Sequence, residues 1–354
     1  MKRKTFLWLG CAILCIAVTL WAAWALRLYH HYQQIPPEPN VGNRASNLKS
    51  LKETGFPFSF LVIGDIQNSL RVRALLESAM KEGPPSFMIL VGDFVMSPDL
   101  WNHRLFLTEM AVESKLPFPV FMVPGNHDID HTPSGQKKPR DVLTLEMYKA
   151  LYGESNFDFT FNQCLFVLCG VDFNRPEQYL AYLQETLSKR GQGQKHIFVF
   201  VHFPPEGLAP YIEGLLPFNE KFLSLLETYK VTGCFFGDFH GYWRGQRKGV
   251  NLIVAGGGGR LKESQPEWGK FHHILRVTVD KDTVSESLIV SQKEFPVEDK
   301  LRHWTFSLLF PLTDNHGWTL DGLFLLFLSL SLLASILFVL SLRRRNGLEL
   351  SDKK

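Results

Sequence analysis

Two uncharged apolar segments, one near each end, set the strongest limit on how this chain of 354 residues can fold. They are Thr5–Leu26 and Gly322–Leu342, and each holds about twenty residues, enough to cross a bilayer as one helix. Basic residues flank their outer ends: MKRK precedes the first segment, and Arg343–Arg345 follows the second. The positive-inside tendency therefore predicts that both termini are cytoplasmic and that everything between the segments is periplasmic or extracellular.

A cleaved signal peptide is an alternative for the first segment, because Ala23-Trp24-Ala25 resembles a small-residue cleavage site. The apolar stretch is longer than a usual signal-peptide core, so we expect an uncleaved anchor. The predicted parts are a cytoplasmic tip with the anchor (1–30), a proline-rich linker (31–55), one external domain (56–297), a juxtamembrane segment (298–319), a transmembrane helix (320–342) and a basic cytoplasmic tail (343–354).

Composition narrows the class of partner. The formal net charge is only +3, and much of the positive excess lies at the two ends of the chain. Without a basic stripe on the external domain, nucleic acid is not an expected partner. Hydrophobic residues make up 45% of the chain and aromatic residues 13%, which predicts a packed core. The expected partners are the membrane and a small molecule, and the oligomeric state stays open.

The external domain alternates short apolar runs with stretches of helical periodicity. The runs, which suit strands covered on both faces, are Ser59–Asp65, Ser86–Asp93, Pro119–Asp128, Cys164–Asp172, His196–Phe203, Gly233–His240 and Asn251–Gly259. Apolar residues spaced by three and four predict helices over 69–81, 98–114, 141–151 (capped by Asp141), 177–189 and 219–229. A hairpin over 271–290 closes the domain. Strands alternating with helices predict an α/β fold.

Polar side chains stand at or just beyond the ends of these apolar runs. They are Asp65, Gln67, Asp93, Asn126, His127, Asp128, His202, Asp238 and His240. In open α/β sheets, ligand groups gather beyond the carboxyl ends of the strands, so we expect these side chains to converge. One such residue alone would be a turn or cap residue. Three carboxylates, two imidazoles and the amide oxygens of Gln67 and Asn126 together suit two divalent cations that share a bridging carboxylate.

The order of the motifs resembles the calcineurin-like metallophosphoesterase superfamily, whose signature runs D-x-H, G-D, G-N-H-D/E, a lone His and G-H-x-H. The matching stretches are Asp65-Ile66-Gln67, Gly92-Asp93, Gly125-Asn126-His127-Asp128, His202 and Gly237-Asp238-Phe239-His240. The resemblance covers the external domain and neither apolar end segment. It implies a two-sheet β-sandwich flanked by helices, in layers α/β/β/α, and a hydrolase that acts on phosphoric ester bonds. Together with the two end segments, the resemblance implies a membrane-anchored member of the superfamily.

The resemblance also implies two sets of metal ligands, one for each ion. One ion is held by Asp65, Asp93 and His240, and the other by Asp93, Asn126 and His202. Gln67 and Asp238 stand where the family usually has histidines, and both still offer oxygen ligands. A set this rich in oxygen favours Mn²⁺, Fe or Mg²⁺, with Zn²⁺ as a further option.

The implied chemistry is in-line attack on phosphorus by a water activated between two ions, while His127 protonates the departing alkoxide. The alternative for His127 is a loop histidine bonded to a backbone carbonyl. Three further residues are candidates for phosphate binding: Tyr242, Arg244 and Arg260. An arginine can make a bidentate contact with phosphate, although ordinary loop positions explain all three residues equally well.

The sequence thus predicts a membrane-anchored phosphohydrolase, either a phosphomonoesterase or a phosphodiesterase, that acts outside the cytoplasm. The expected substrate is a phosphorylated small molecule or, because the domain is tethered near the bilayer, a lipid-linked phosphate. The alternative is a catalytically weak metal-binding sensor or binding protein on the same fold. The departures at Gln67 and Asp238 motivate that alternative.

Overall fold

The computed structural model describes residues 2–32, 40–42, 44–132, 142–208, 212, 214–291, 293, 295–305 and 317–351. Parts of the predicted linker, juxtamembrane segment and cytoplasmic tail lie outside these residues, as does the predicted helix cap Asp141. The chain divides into two units, Ile35–Pro296 and a second that joins Met1–Gln34 to Val297–Lys354.

The larger unit contains two β-sheets. The strands are β1 Phe58–Ile63, β2 Phe87–Val91, β3 Val120–Val123, β4 Phe157–Phe161, β5 Cys164–Cys169, β6 His196–Val201, β7 Gly233–Phe236, β8 Tyr242–Arg247, β9 Val250–Ala255, β10 His273–Val279 and β11 Val284–Val290. The first sheet has the order β11-β10-β1-β2-β3, and the second has the order β4-β5-β6-β7-β9-β8. In each sheet a set of neighbouring strands is parallel, β1-β2-β3 in the first and β5-β6-β7-β9 in the second, so the carboxyl ends of each set share one edge.

Helices cover the outer faces of both sheets. The helices of this unit are α2 Arg44–Ser50, α3 Arg71–Lys81, α4 Leu100–Leu107, α5 Leu145–Tyr152, α6 Glu177–Arg190 and α7 Asn219–Thr228. Apolar residues of α3, α4 and α5 share one buried cluster with the first sheet. Those of α6 and α7 share another with the second sheet. The layers are therefore helix, sheet, sheet, helix, which confirms the predicted α/β/β/α sandwich.

Phenylalanine fills the space between the sheets. Along β1, Phe60 and Val62 face the second sheet, whereas Leu61 and Ile63 face the helices, as the period of two in a strand requires. The Phe60 ring stacks on Phe87 at 5.4 Å between centroids. It also meets the Phe166 ring of the other sheet edge-on at 5.3 Å. This interlocked aromatic layer fixes the two sheets against each other.

The structure adds two strands that the sequence pattern did not predict. They are β4 and β8, and each is the antiparallel edge strand of the second sheet. The helix predicted over 98–114 begins at Leu100, capped by the Asp99 side chain, and continues beyond Leu107 as a π-helix over Thr108–Glu113. Helix α5 is capped by the side chain of Thr144.

The predicted linker 31–55 also contains ordered structure. Helix α2 lies within it, and the buried side chain of Asn47 donates to the backbone oxygen of Val120 at 2.9 Å. Val41 forms an isolated bridge with Val120. Residues of the described stretches 40–42 and 44–50 therefore pack on β3, a long-range contact that a proline-rich composition does not reveal.

The smaller unit contains the two apolar end segments as helices, α1 Lys2–Tyr32 and α9 Gly317–Ser351, together with α8 Val297–Trp304. By length and composition, Phe6–His31 and Asp321–Leu340 can cross a membrane. The two helices contact each other, with the Thr19 and Ser331 hydroxyls 2.7 Å apart. These features are compatible with membrane anchoring.

Candidate metal centre

The predicted ligands lie in the turns that follow five strands of the two sheets. Asp65 follows β1, Asp93 follows β2, Asn126 follows β3, His202 follows β6, and Asp238 follows β7. Because the parallel strands of each sheet end at one edge, and the sheets are packed face to face, residues far apart in the chain meet there.

Sharp turns direct several of these side chains. Asp65, Gln67, Asp93, Asp238 and His240 have φ values of 55°, 47°, 51°, 62° and 57°. Residues with a Cβ seldom adopt this left-handed conformation, which costs free energy and occurs at sharp turns and at functional sites. The backbone N–H groups of Asp65 and Gln67 donate to the carbonyls of Gly92 and Asp93 at 3.0 and 2.9 Å, so the first two turns are joined directly.

Three ligand groups form a close cluster. One ligand atom each from Asp65, Asp93 and His202 lies within 4.8 Å of the other two. The His202 Nε2 atom is 3.3 Å from Asp93 Oδ1 and 3.8 Å from Asp238 Oδ1. The His240 Nε2 atom is 3.8 Å from Asp65 Oδ1. The structure therefore brings His240 and Asp238 to the same cluster from the end of β7.

Backbone carbonyls set the tautomer of both histidines. His202 Nδ1 lies 2.8 Å from the Val91 oxygen, and His240 Nδ1 lies 2.7 Å from the Arg260 oxygen. A carbonyl can only accept, so Nδ1 carries a proton in each ring, and Nε2 is the nitrogen left to face a metal ion. Each Nε2 faces the carboxylates, which is the orientation of a histidine that ligates a metal.

Several atoms of the predicted ligand set that could bind a metal are buried without a hydrogen-bond partner among the described residues: Asp65 Oδ2, Asp93 Oδ2, Asn126 Oδ1 and His202 Nε2. Buried polar atoms are nearly always hydrogen-bonded, because leaving them unpaired costs free energy. Carboxylate, amide and imidazole donors together suit divalent transition metals and Mg²⁺. These residues therefore fit a metal site.

Burial and charge shift the ionisation of the cluster. Burial raises the pKa of Asp65 well above its ordinary value, against the effect of His202. Burial also opposes ionisation of Asp93, but the nearby His202 imidazole outweighs it and lowers the pKa of Asp93 to about 2. Burial lowers the pKa of His240 to about 4, so this ring is neutral at pH 7. Burial thus opposes charge on Asp65 and His240, whereas Asp93 and His202 each favour the charged form of the other.

Close packing makes glycine necessary beside two ligands. A Cβ on Gly92 would lie 2.2 Å from His202 Nδ1, and Gly92 also has a φ of +77°. A Cβ on Gly256 would lie 2.2 Å from Asp65 Oδ2. Distances this short are excluded by van der Waals repulsion, so both glycines let the backbone approach the ligand side chains.

Asp128, the last residue of the GNHD motif, ties two ligand loops together. Its buried carboxylate accepts the N–H groups of Asp93 at 2.7 Å, Phe94 at 2.9 Å, Val95 at 3.2 Å and Gly125 at 2.7 Å. These bonds fix the turn that carries Asp93 against the turn that carries Asn126. The sequence analysis gave Asp128 no role, although its place in the motif was a usable signal.

A buried histidine supports Asp128 in turn. The His103 side chain on α4 lies with Nε2 3.0 Å from the Asp128 carbonyl oxygen and Nδ1 2.8 Å from the Tyr152 hydroxyl. Nε2 donates to the carbonyl, so Nδ1 accepts from the hydroxyl. No sequence motif marks His103 or Tyr152, and the sequence analysis missed both.

His127 lies at the edge of the cluster. Its backbone N–H donates to Asp93 Oδ1 at 2.9 Å, and its Nδ1 donates to the Met96 carbonyl at 2.7 Å. Its Nε2 is 3.8 Å from Asp93 Oδ2, and the side chain is 37% exposed. The ring therefore has a fixed tautomer and an Nε2 atom that solvent or a bound molecule can reach.

The two residues that depart from the family motif, Gln67 and Asp238, differ in burial. Gln67 is buried, and Asp238 is half-buried with its backbone N–H donating to Asp65 Oδ1 at 3.2 Å. Burial raises the pKa of Asp238, with His202 and Lys262 opposing that rise. Asp238 therefore adds a third carboxylate to the cluster.

The structure places the three phosphate-binding candidates differently. The Tyr242 ring packs 5.4 Å from the His273 ring. The Arg244 guanidinium donates to Glu286 on β11 at 2.7 Å. Arg260 touches the site through its backbone oxygen, which accepts from His240, and its side chain is exposed. Arg244 is thus engaged by a carboxylate, and the phosphate-binding roles of all three residues stay predictions.

A sequence model of the family described as calcineurin-like phosphoesterase matches residues 58–242, more than half of the chain. The chain therefore belongs to this family, and membership supports a hydrolase that acts on phosphoester bonds. The matched range contains every predicted metal ligand and His127. No curated protein sequence matches the chain.

Solved structures with similar folds include a purple acid phosphatase from yellow lupin (Lupinus luteus), with 14% identity and a TM-score of 0.49 over 66% of this chain and 52% of that chain. The chain thus spans about half the length of the lupin protein. A second is GAP50 of Plasmodium, described as the anchor in the inner membrane complex, with 15% identity and a TM-score of 0.46 over 71% of this chain and 94% of that one. A third is a dimetal phosphatase from Danio rerio, with 16% identity and a TM-score of 0.44 over 66% and 98%.

Proposed function

We propose that this chain is a membrane-anchored phosphohydrolase that depends on two divalent metal ions and acts outside the cytoplasm. The observation that carries the proposal is the set of buried donor atoms, unpartnered among the described residues, on Asp65, Asp93, Asn126 and His202. Membership of the calcineurin-like phosphoesterase family supports the same chemistry. The proposed substrate is a phosphorylated small molecule or a lipid-linked phosphate.

The proposal assigns Asp93 as the bridging ligand. Asp65 and His240 complete one ion site with it, and Asn126 and His202 complete the other. The distances of 3.3 Å from Asp93 to His202 and 3.8 Å from Asp65 to His240 support these pairings. Gln67 and Asp238 are further oxygen ligands. When bound, two such ions polarise phosphoryl oxygens and lower the pKa of water, with Mn²⁺, Fe or Mg²⁺ favoured by the oxygen-rich donors.

His127 is the proposed general acid. Its Nδ1–H is held by the Met96 carbonyl, so Nε2 is the atom that carries the transferable proton to the departing alkoxide. General-acid catalysis needs that atom within hydrogen-bond reach of the leaving group. The partial exposure of the ring supports access to a bound substrate.

The membrane part of the proposal rests on the smaller unit. Helices α1 and α9 are long and apolar enough to span a bilayer, and basic residues at their outer ends favour cytoplasmic termini. On α8 the apolar side chains of Val297, Leu301 and Trp304 are exposed and spaced by four and three residues. Such a face suits the bilayer interface. The part boundaries given from the sequence, including the domain over 56–297, belong to this proposal.

The test is metal content and turnover of the full chain, purified in detergent without chelator. About two equivalents of metal are expected, together with Mn²⁺-dependent hydrolysis of p-nitrophenyl phosphate or its bis ester. Asp93→Asn should reduce the metal content and abolish turnover, because the proposed bridging ligand loses its charge. Asp172→Asn is the matched control: Asp172 follows β5, yet its carboxylate pairs with Arg175, so its loss should leave both quantities unchanged.

The alternative function predicted from the sequence is a metal-binding sensor, and it predicts a different result in the same experiment. Bound metal without turnover on either ester would replace the hydrolase by the sensor. Equal metal content and equal turnover in Asp93→Asn and wild type would reject the metal centre itself.

A further inference from the structure

Residues 260–269 form a loop that packs on the last motif. The Arg260 oxygen accepts from His240 Nδ1, and the Gly269 oxygen accepts from the Tyr242 N–H at 2.9 Å. The Trp268 ring stacks on Phe239 at 6.5 Å between centroids. The loop, defined here as the capping loop, is therefore fixed at several points against the turn that carries Asp238 and His240.

The capping loop brings one cation to the metal centre. The Lys262 ammonium donates to the backbone oxygen of Asp238 at 3.2 Å. Asp238 is the residue whose carboxylate lies 3.8 Å from His202 Nε2, so this contact holds the ammonium beside the carboxylate cluster. The residue is otherwise exposed.

Lys262 differs in its partners from three cations that lie nearby in the sequence. Arg244 pairs with Glu286, Arg247 pairs with Glu227, and Lys270, which follows the capping loop directly, pairs with Glu267 at 3.7 Å. Lys262 pairs with no carboxylate in the described part of the chain. Because an ammonium has three N–H donors and the Asp238 oxygen takes one, two donors are left for a ligand.

The positive charge of Lys262 indicates that the ligand is an anion. Three carboxylates, those of Asp65, Asp93 and Asp238, meet at the cluster, so an added positive charge at its edge favours binding of an anion there. A phosphomonoester carries close to two negative charges at pH 7 and three terminal oxygens. A phosphodiester carries one charge and two such oxygens. A fixed ammonium therefore favours the monoester by charge and by the number of acceptors.

We propose that Lys262 binds the phosphate of the substrate and selects a phosphomonoester over a phosphodiester. This inference rests on the proposed function, since it names the substrate class of the same site. It adds a substrate-binding residue that no motif in the sequence marks.

The experiment compares Lys262→Met, Lys262→Arg and the control Lys270→Met with wild type, as full chains in detergent with Mn²⁺. The substrates are p-nitrophenyl phosphate and bis(p-nitrophenyl) phosphate. Lys262→Met should lower kcat/KM for the monoester by about tenfold to a hundredfold, mainly through KM, and for the diester by less than about threefold. Lys262→Arg should restore part of the monoester activity, and Lys270→Met should resemble wild type.

A second measurement does not depend on turnover. Inorganic phosphate, titrated calorimetrically into Mn²⁺-loaded protein, should bind about tenfold more weakly to Lys262→Met than to wild type, while the affinity for Mn²⁺ stays within about threefold. Equal losses on both esters, or unchanged phosphate affinity, would overturn the role of Lys262 alone. If wild type hydrolyses neither ester, the proposed function fails, and the phosphate titration still decides whether Lys262 binds phosphate.

Discussion

Two regions of the larger unit are built by the same strands and have opposite character. Between the sheets, Phe60 and Phe87 are fully buried and stack on each other. Just beyond the ends of the same strands, Asp65 and Asp93 are also buried, and each has a carboxylate oxygen without a hydrogen-bond partner among the described residues. The aromatic region gains free energy from burial, whereas the polar region loses free energy by desolvation.

This difference separates stability from chemistry within one strand. The aromatic layer fixes the strands, and the strands fix the turns, so the carboxylates stay close together despite their cost. A residue change in the first region should therefore act on unfolding, and a change in the second should act on turnover and metal binding.

The sharpest test of this separation is Asp65→Asn. Turnover should fall by about a thousandfold or more, because a proposed ligand loses its charge. The metal-free protein should unfold at the same temperature as wild type or higher, since a buried carboxyl group with one unpartnered oxygen is replaced by a neutral amide. Thermal unfolding with EDTA and with Mn²⁺ measures both parts: Mn²⁺ should raise the midpoint of wild type and leave that of the variant unchanged.

A clear fall in the metal-free midpoint of Asp65→Asn would show that Asp65 stabilises the fold. The two regions would then differ in composition only, and the separation of roles would be wrong.

The opposite change is Phe87→Ala in the aromatic layer. Removing this ring should lower the free energy of unfolding by about 3–5 kcal/mol, through lost burial and a cavity. The protein that remains folded should keep its kcat and its metal content. Phe218→Ala is the matched control, because Phe218 is 44% exposed and its loss should cost less than about 1 kcal/mol. Urea unfolding of the full chains in detergent, with turnover measured at low temperature, checks the prediction.

The sequence predicted the ligand turns well for a local reason. An apolar run that ends in a polar residue is visible in a few letters, and the parallel arrangement of such runs brings their ends together. For the same reason β4 escaped prediction: the run FDFTF alternates apolar and polar residues, so it lacks the continuous apolar run from which the inner strands were predicted. Edge strand β8, with the polar sequence YWRGQR, gave no apolar signal.

The residues that support the site could not be found in this way. Asp128 is bonded to four backbone N–H groups from two separate loops, and His103 reaches it from α4. Lys262 reaches Asp238 across 24 positions in the sequence. Each of these contacts depends on the folded positions of distant segments, and no residue spacing encodes them.

The smallest expected effect concerns His103. Both nitrogens of this buried histidine are hydrogen-bonded, unlike those of His202 at the metal centre. Burial lowers the pKa of His103 from 6.5 to about 3. Between these values the unfolded chain binds a proton that the folded protein does not, so the free energy of unfolding falls as the pH drops. The expected contribution is about 1.4 kcal/mol for each pH unit in that window.

The variant His103→Gln keeps a donor for the Asp128 carbonyl and removes the titrating ring. Urea unfolding of metal-free protein between pH 7 and pH 4, in detergent and with EDTA, should therefore give a shallower pH dependence for the variant than for wild type. Tyr152→Phe, which removes the partner of Nδ1 and leaves the ring in place, should keep the wild-type slope. Identical slopes in His103→Gln and wild type would mean that His103 is protonated in the folded protein. The Asp128 carbonyl would then accept from a charged ring. His103 and the metal centre would then differ only in the carboxylates of the metal centre.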